Sequence, residues 1–289
     1  MIRASAPGKV NLYFAVGPKL PNGYHEVCSV YLALDLREVV GVEYSNELSI
    51  SVGGDLSDQQ LSGVPTDSRN LVVAAARLVT EKSLAFEITK RVPVAGGMGG
   101  GSADAAAALL ATQALSGSDS AADPVTLGAD VPFALMGGVA LGLGVGEKLT
   151  PLEMNCELPV VLITSAGGLS TPAVYQRLDE LRAKDNLEPE FSPPIPEELI
   201  DALRIGDVAA IARLAHNDLQ RAALDLNPEL QDTLDRAKAA GALTALVSGS
   251  GPTIFAIAES RETANKIAMQ FGSAALVTSG PAAGARLEN

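Results

Sequence analysis

The chain has 289 residues, 47% of them hydrophobic and 19% charged, with a formal net charge of −13. That composition excludes a disordered chain, and the negative balance argues against bulk binding to nucleic acid or an anionic membrane, where basic side chains on phosphates dominate affinity. The length suffices for a large core and, at usual domain sizes, for two lobes. An anionic nucleotide would have to be held by a few lysines and by backbone N–H groups. The two cysteines, Cys28 and Cys156, lie far apart with no CxxC or Cys/His cluster. They read as reduced core thiols, although spacing alone leaves a disulfide open. Met1 to Pro7 lacks the apolar stretch of a secretory leader, and Val131 to Gly146 carries five glycines, a poor spanning helix. A cytoplasmic protein is expected.

The first predicted strand contains Pro7-Gly8-Lys9-Val10-Asn11-Leu12, with a bend at Pro7-Gly8. Lys9 and Asn11, two apart, share one face of it. On spacing alone the pair fits a solvated edge as well as a site. Asn22-Gly23 signals a turn. It puts Tyr24 and His25 at the mouth of an apolar strand, Val27 to Leu36. Residues 37–52 read as further strand pieces, 53–68 as loop, Asn70 to Val79 as an amphipathic helix and Leu84 to Thr89 as a strand. That strand delivers the chain into Pro93-Val94-Ala95-Gly96-Gly97-Met98-Gly99-Gly100-Gly101-Ser102-Ala103-Asp104, where five of six consecutive residues from Gly96 to Gly101 are glycine. An Ala-rich helix from Ala103 to about Leu115 follows.

Glycine lets backbone approach a ligand closely, and a helix start presents unsatisfied N–H groups and a positive dipole end. Together they make an anion site, most economically for phosphate. No Lys-Ser or Lys-Thr closes a Walker A loop, and Lys90-Arg91-Val92-Pro93 is a poor end for the buried parallel strand of a Rossmann unit. A plain glycine linker would rarely run straight into so strong a helix.

Ser116 to Pro124 reads as loop, and Asp130 then stands alone in the apolar run Leu127 to Phe133. It suits a helix N-cap ahead of Val131-Pro132, a catalytic carboxylate, or both. Gly137 to Leu149 reads as Gly-rich β structure, and the composition change at Pro151–Glu157 divides lobes 1–152 and 153–289. Leu158 to Thr164 is a strand, Ser170 to Tyr175 opens a helix, and 185–196 is a Pro- and acid-rich loop. Helices fill 197–240 with Asn217-Asp218-Leu219 inside one, and a second loop, Ser248-Gly249-Ser250-Gly251-Pro252, precedes a strand from Thr253. A helix from Glu262 to Phe271 and a strand at 274–279 complete the chain.

Lys9, the loop and Asp130 suit phosphoryl transfer, which needs charge compensation and a group to orient and deprotonate the acceptor. Ser102 or Asp104 could touch a Mg²⁺ accompanying the nucleotide, although Asp104 reads better as a first-turn acid favoured by the helix dipole.

The segments at Pro7–Leu12, Pro93–Ser102 and Ser248–Thr253 resemble the three ordered motifs of the GHMP kinase superfamily. Asn22-Gly23-Tyr24-His25-Glu26, the Asp130 segment and Gly144-Val145-Gly146-Glu147 narrow the resemblance to one branch. Its members phosphorylate the 2-hydroxyl of a cytidine-diphosphate-linked methylerythritol with ATP, on the methylerythritol phosphate route to isoprenoid precursors. The resemblance covers residues 2 to 285 and implies an α/β (α+β) two-lobed fold. Its N-terminal lobe would be like ribosomal protein S5 domain 2, its C-terminal lobe ferredoxin-like, with the active site in the cleft. It further implies Asp130 as base, Lys9 as its charged partner, Pro93 to Ala103 around the ATP phosphates, and Asn70 and Lys90 near the adenine. Tyr24 and Tyr175 would sandwich the cytosine, His25 would read its edge and Asn11 would help hold the acceptor. A small-molecule substrate, no nucleic acid or membrane partner, and a monomer or weak homodimer are expected. The family usually carries a longer stretch with another helix between Leu115 and Leu127, and residues near Thr80–Ala85 also look short. A homoserine or mevalonate kinase would have no cytosine to grip, and a silent binding protein would not need Asp130.

Overall fold

Two long strands, β1 (Ile2–Lys19) and β2 (His25–Tyr44), form the antiparallel hairpin on which everything else is laid. Its turn is made locally. Gly23 takes φ +87°, and the Asn22 side chain accepts from the Tyr24 N–H at 3.1 Å. In this computed structural model residues 1–118, 123–165 and 168–288 are described.

The register of the hairpin shifts between Pro7 and Lys9, between Asn11 and Tyr13, and between Val16 and Lys19. Such bulges re-aim side chains and free backbone groups. The first shift matters most, because the Lys9 N–H donates to the Met98 carbonyl at 3.0 Å. The glycine loop is thereby tied to β1.

After β2 come β3 (Ser49–Gly54), a short helix α1 (Asp58–Ser62), α2 (Leu71–Arg77) and β4 (Leu84–Lys90). α1 falls in the stretch expected to be loop. Then follow α3 (Gly100–Ser116), a 3₁₀ turn at Pro124–Leu127, α4 (Val131–Met136), β5 (Val139–Leu143) and β6 (Lys148–Leu152). β2 is shared along its length, pairing with β5 through Ser29–Leu32 and with β4 through Val39–Tyr44. α3 packs on β1 and β2 through alanines, Ala103, Ala105 to Ala108 and Ala111 all being fully buried. Small side chains let the helix lie close to the sheet, which sets its first turn beside the hairpin.

The second half comprises β7 (Leu158–Ile163), α5 (Thr171–Asp185), α6 (Glu197–Ile205), α7 (Val208–Leu214) and β8 (His216–Asn217). It continues with α8 (Gln220–Leu226), α9 (Glu229–Ala239), β9 (Thr244–Val247), β10 (Ile254–Ile257), α10 (Arg261–Met269), β11 (Ala275–Gly280) and β12 (Arg286–Glu288). β7, β9, β10 and β11 form an antiparallel sheet in the order β11-β7-β10-β9. Numbered one to four along the chain, that order is 4-1-3-2, with helices after the first and third strands, the split βαβ arrangement of ferredoxin-like domains. One apolar core joins the two sheets, with Leu12, Val30 and Leu32 meeting Leu162, Phe255 and Leu203. The two-lobed α/β architecture expected from the sequence is therefore present.

Three details differ from the sequence reading. Asn217 lies in a two-residue strand parallel to β1 and not in a helix, because its side chain is occupied in hydrogen bonds to the Val247 and Gly249 carbonyls. Residues 286–288, counted with the second lobe, pair with β1 in the first sheet. The short segment before Asp130 is partly covered, residues 119–122 lying outside the described part. Both cysteines are free, and burial pushes the Cys28 thiol up to about 11, an inert core group. Among the described residues no helix is long and apolar enough to cross a membrane.

Candidate active site

The glycine loop is clamped from both sides. Gly97 has φ +74°, and a Cβ there would sit 2.1 Å from the Ser248 carbonyl oxygen. The Ser248 hydroxyl donates to the Gly97 carbonyl at 3.2 Å, and Asn217 Nδ2 donates to the carbonyls of Val247 and Gly249 at 2.8 Å each. The Gly96–Gly101 loop and the Ser248–Pro252 loop therefore lie backbone against backbone. Gly97→Ala is expected to lower ATP affinity by roughly tenfold or more, since a side chain at positive φ is strained and here also collides. Calorimetric titration with ATP checks this; an unchanged affinity overturns it.

α3 starts at Gly100, earlier than the sequence suggests, with Gly99 in the left-handed region as N-cap and no side chain capping it. The N–H groups of Gly100, Gly101 and Ser102 therefore have no intrahelical acceptor. A cavity of about 350 Å³ opens over them, lined by Pro93 to Ser102 together with Val64, Asn70, Leu71 and Lys90. Its mouth is apolar and its floor is N–H groups, which suits a nucleotide. Ala103 does not line it. That residue is fully buried against the sheet, and its N–H donates to the Gly99 carbonyl.

Asn70 lines the cavity but also caps α2, accepting from the Val72 N–H at 3.1 Å and donating to the Pro65 carbonyl at 2.7 Å. Lys90 also lines the cavity, but its ammonium is engaged in a buried ion cluster. Its ammonium is 2.6 Å from Glu38 and 2.6 Å from Asp104, all three side chains being no more than 4% exposed. Asp104 is neither a first-turn acid nor a candidate metal ligand but half of this buried pair of carboxylates. Burial lifts Glu38 to about 7 and Asp104 to about 6, with Lys90 acting to lower both.

On the other side of Gly99 lie Lys9 and Asp130. Lys9 Nζ is 3.6 Å from Asp130 Oδ2 and donates to Asn11 Oδ1 at 3.0 Å and to the Gly97 carbonyl at 3.1 Å. The shared face of Lys9 and Asn11 is therefore buried and hydrogen-bonded and not a solvated edge. Asp130 stands at the start of α4 with no side-chain cap hydrogen bond, so its carboxylate is free for chemistry. Ser29 and Tyr31, which the sequence reading passed over, complete this wall. Asn11 Nδ2 donates to Ser29 Oγ at 2.7 Å, and Tyr31 stacks on Phe133 at 4.9 Å. Gly142 and Gly146 make room for Tyr31, whose ring a Cβ at either position would strike. Burial, and next the charge of Asp130, push the Tyr31 and Tyr175 phenols upward, so both remain protonated beside the carboxylate.

Tyr175 leads to the third cluster. Its ring lies 4.9 Å from that of His25, whose Nε2 meets Asp179 at 2.9 and 3.1 Å. Tyr24, next in the chain, is 64% exposed. α5 is fixed at both ends: the Thr171 and Ser250 hydroxyls are 2.8 Å apart, tying its start to the Ser248–Pro252 loop, and Arg182 donates to the Val16 carbonyl of the hairpin at 2.7 Å. Asp179 also escaped the sequence reading; its only signal was its place four residues after Tyr175, on one helix face.

Sequence models of the GHMP kinases N terminal domain and the GHMP kinases C terminal domain match residues 70–138 and 199–277. The 4-diphosphocytidyl-2-C-methyl-D-erythritol kinase of Arthrobacter sp. (strain FB24) is 46% identical over 99% of this chain and 94% of its own length. The chain belongs to the GHMP kinase family. Among further GHMP kinases, the Streptomyces avermitilis enzyme of the same name is 43% identical over 99% of this chain and 96% of its own. A crystal structure of 4-(cytidine 5'-diphospho)-2C-methyl-D-erythritol kinase superposes with a TM-score of 0.76 at 32% identity, covering 96% of this chain and 98% of that one. A homoserine kinase from Cytophaga hutchinsonii, at 21% identity and a TM-score of 0.70, shares the fold. The alignment with the Arthrobacter relative spans 305 positions, more than the 289 residues of this GHMP kinase, so it carries gaps on this chain's side.

Proposed function

We propose that this GHMP kinase transfers the γ-phosphoryl group of ATP to the 2-hydroxyl of 4-diphosphocytidyl-2-C-methyl-D-erythritol, giving the 2-phosphate and ADP. One observation carries the reading. The Lys9–Asp130 pair lies between the glycine-loop cavity and Tyr175, whose ring rests on His25, so one carboxylate faces both a phosphate cradle and an aromatic cluster suited to a base. The names and near-complete coverage of the relatives support the same acceptor.

In this mechanism the N–H groups of Gly100, Gly101 and Ser102 hold the donor phosphates. Asp130 accepts the proton of the attacking hydroxyl as its oxygen bonds to phosphorus and the bond to the β-phosphate oxygen breaks, its electrons leaving with ADP. Lys9, fixed by Asn11 and Gly97, offsets charge on the attacking oxygen. A tertiary alcohol is a weak acid and gains from both groups. Tyr24 and Tyr175 hold the cytosine, His25 reads its edge and Asn11 helps place the acceptor.

Mg²⁺ is part of the proposal. The Ser102 hydroxyl, in the first turn of α3, is a hard oxygen donor beside the loop that would meet an ion arriving on the nucleotide phosphates, where such an ion would neutralise charge. A cytoplasmic location and a monomeric or weakly dimeric state complete the reading.

The test is ADP release from ATP and Mg²⁺ with 4-diphosphocytidyl-methylerythritol, homoserine, mevalonate and galactose as parallel acceptors. Turnover with the cytidine compound alone is expected. Turnover with another acceptor, or with none despite measurable ATP binding, overturns the assignment.

A further inference from the structure

The contact between His25 and Asp179 is not needed for phosphoryl transfer, yet it is well built. His25 is 6% exposed and its Nε2 meets both carboxylate oxygens of a residue 154 positions away. Arg182, one turn further along α5, holds that helix to the hairpin through the Val16 carbonyl and Asp218. Among the described residues His25 Nδ1 has no hydrogen-bond partner, and it is absent from the buried atoms that lack one.

An ionised carboxylate only accepts hydrogen bonds, so Nε2 must carry the hydrogen it shares with Asp179. In the neutral ring Nδ1 then bears the lone pair and can only accept. We propose that Asp179 is a positioning residue that fixes His25 in the Nε2–H tautomer and so selects cytosine over uracil in the acceptor. This rests on the function proposed above. The two pyrimidines differ at position 4, where cytosine offers an amino N–H and uracil a carbonyl oxygen. A base held flat against Tyr175 presents that edge to His25. Nδ1 accepts from the amino group, whereas against uracil two lone pairs face each other and both stay unpaired. A site that hydrogen-bonds one group rejects an analogue lacking it far better than an apolar pocket does.

The experiment compares the unaltered enzyme with Asp179→Asn and Asp179→Leu, using 4-diphosphocytidyl-methylerythritol and its uridine analogue. The amide of the first variant can donate to Nε2 as well as accept, and the second variant releases the ring. Both are expected to lower the cytidine-over-uridine preference in kcat/KM by roughly 10- to 100-fold, through KM and not kcat. The KM for ATP should not move. Nitrogen-15 spectra of the histidines supply a second readout, with His25→Gln identifying which of the two rings is which. An Nε2–H ring in the unaltered enzyme, turning to mixed tautomers in Asp179→Leu, is expected. An unchanged preference in both variants, or an Nδ1–H ring in the unaltered enzyme, overturns the role of Asp179 while leaving the kinase assignment standing. No turnover of the cytidine compound by the unaltered enzyme overturns the parent reading and this one with it.

Discussion

Asp130→Asn is expected to lower kcat by about 10²- to 10⁴-fold while ATP affinity stays within roughly twofold, the signature of a lost proton acceptor. The substitution keeps shape and removes charge. Because the Asp130 side chain makes no cap hydrogen bond to α4, its loss should not weaken that helix. Nor does it line the nucleotide cavity. Lys9→Met would be less diagnostic, since Lys9 also holds the Gly97 carbonyl and Asn11. Steady-state rates beside calorimetric ATP binding separate the two effects. An Asn variant with near-normal kcat would remove Asp130 from the chemistry.

Lys90→Met is expected to cost about 3–5 kcal/mol of stability, because removing one member of a buried ion cluster leaves charges without compensation. Glu38 and Asp104 would then face each other under the first turn of α3, with the Asp104 Oδ1 atom already unpartnered. Adding Glu38→Gln to Lys90→Met should recover part of the loss. Chemical unfolding measures both, and a Lys90→Met chain as stable as the original sinks the argument.

The same cluster makes a pH prediction. Burial lifts the two carboxyls to about 7 and about 6 in the folded chain, above their unfolded values near 4. Groups shifted this way favour the fold when protonated, so their contribution is full below about pH 4 and is lost as pH rises through 6 to 7. Lys90 is shifted upward too, so its contribution is lost only in alkali. Unfolding free energy should therefore fall between about pH 4 and pH 7, by at most about 1.4 kcal/mol per pH unit for each proton released. Glu38→Gln should flatten that slope; an identical slope in the variant would place the titration elsewhere.

What the sequence determined by itself is what local rules govern. Asn22-Gly23 needs only a turn's dihedral angles, Lys9 and Asn11 need only the period of a strand, and five glycines before an alanine run need only a loop entering a helix. Those rules sufficed to place a glycine loop at the start of a helix, and the motif order sufficed to anticipate the two-lobed fold. Tertiary structure alone decided the rest, because it depends on which distant segments meet. Nothing local tied Lys90 to Glu38 and Asp104, which only the packing of β2 and α3 brought to it. Asn217 looked helical until its amide was drawn to the Val247 and Gly249 carbonyls. Ala103 looked like part of the loop until close packing of α3 on the sheet buried it. Asp179 carried only its spacing from Tyr175, since its partner His25 lies on another element, and no propensity encodes a contact made by packing.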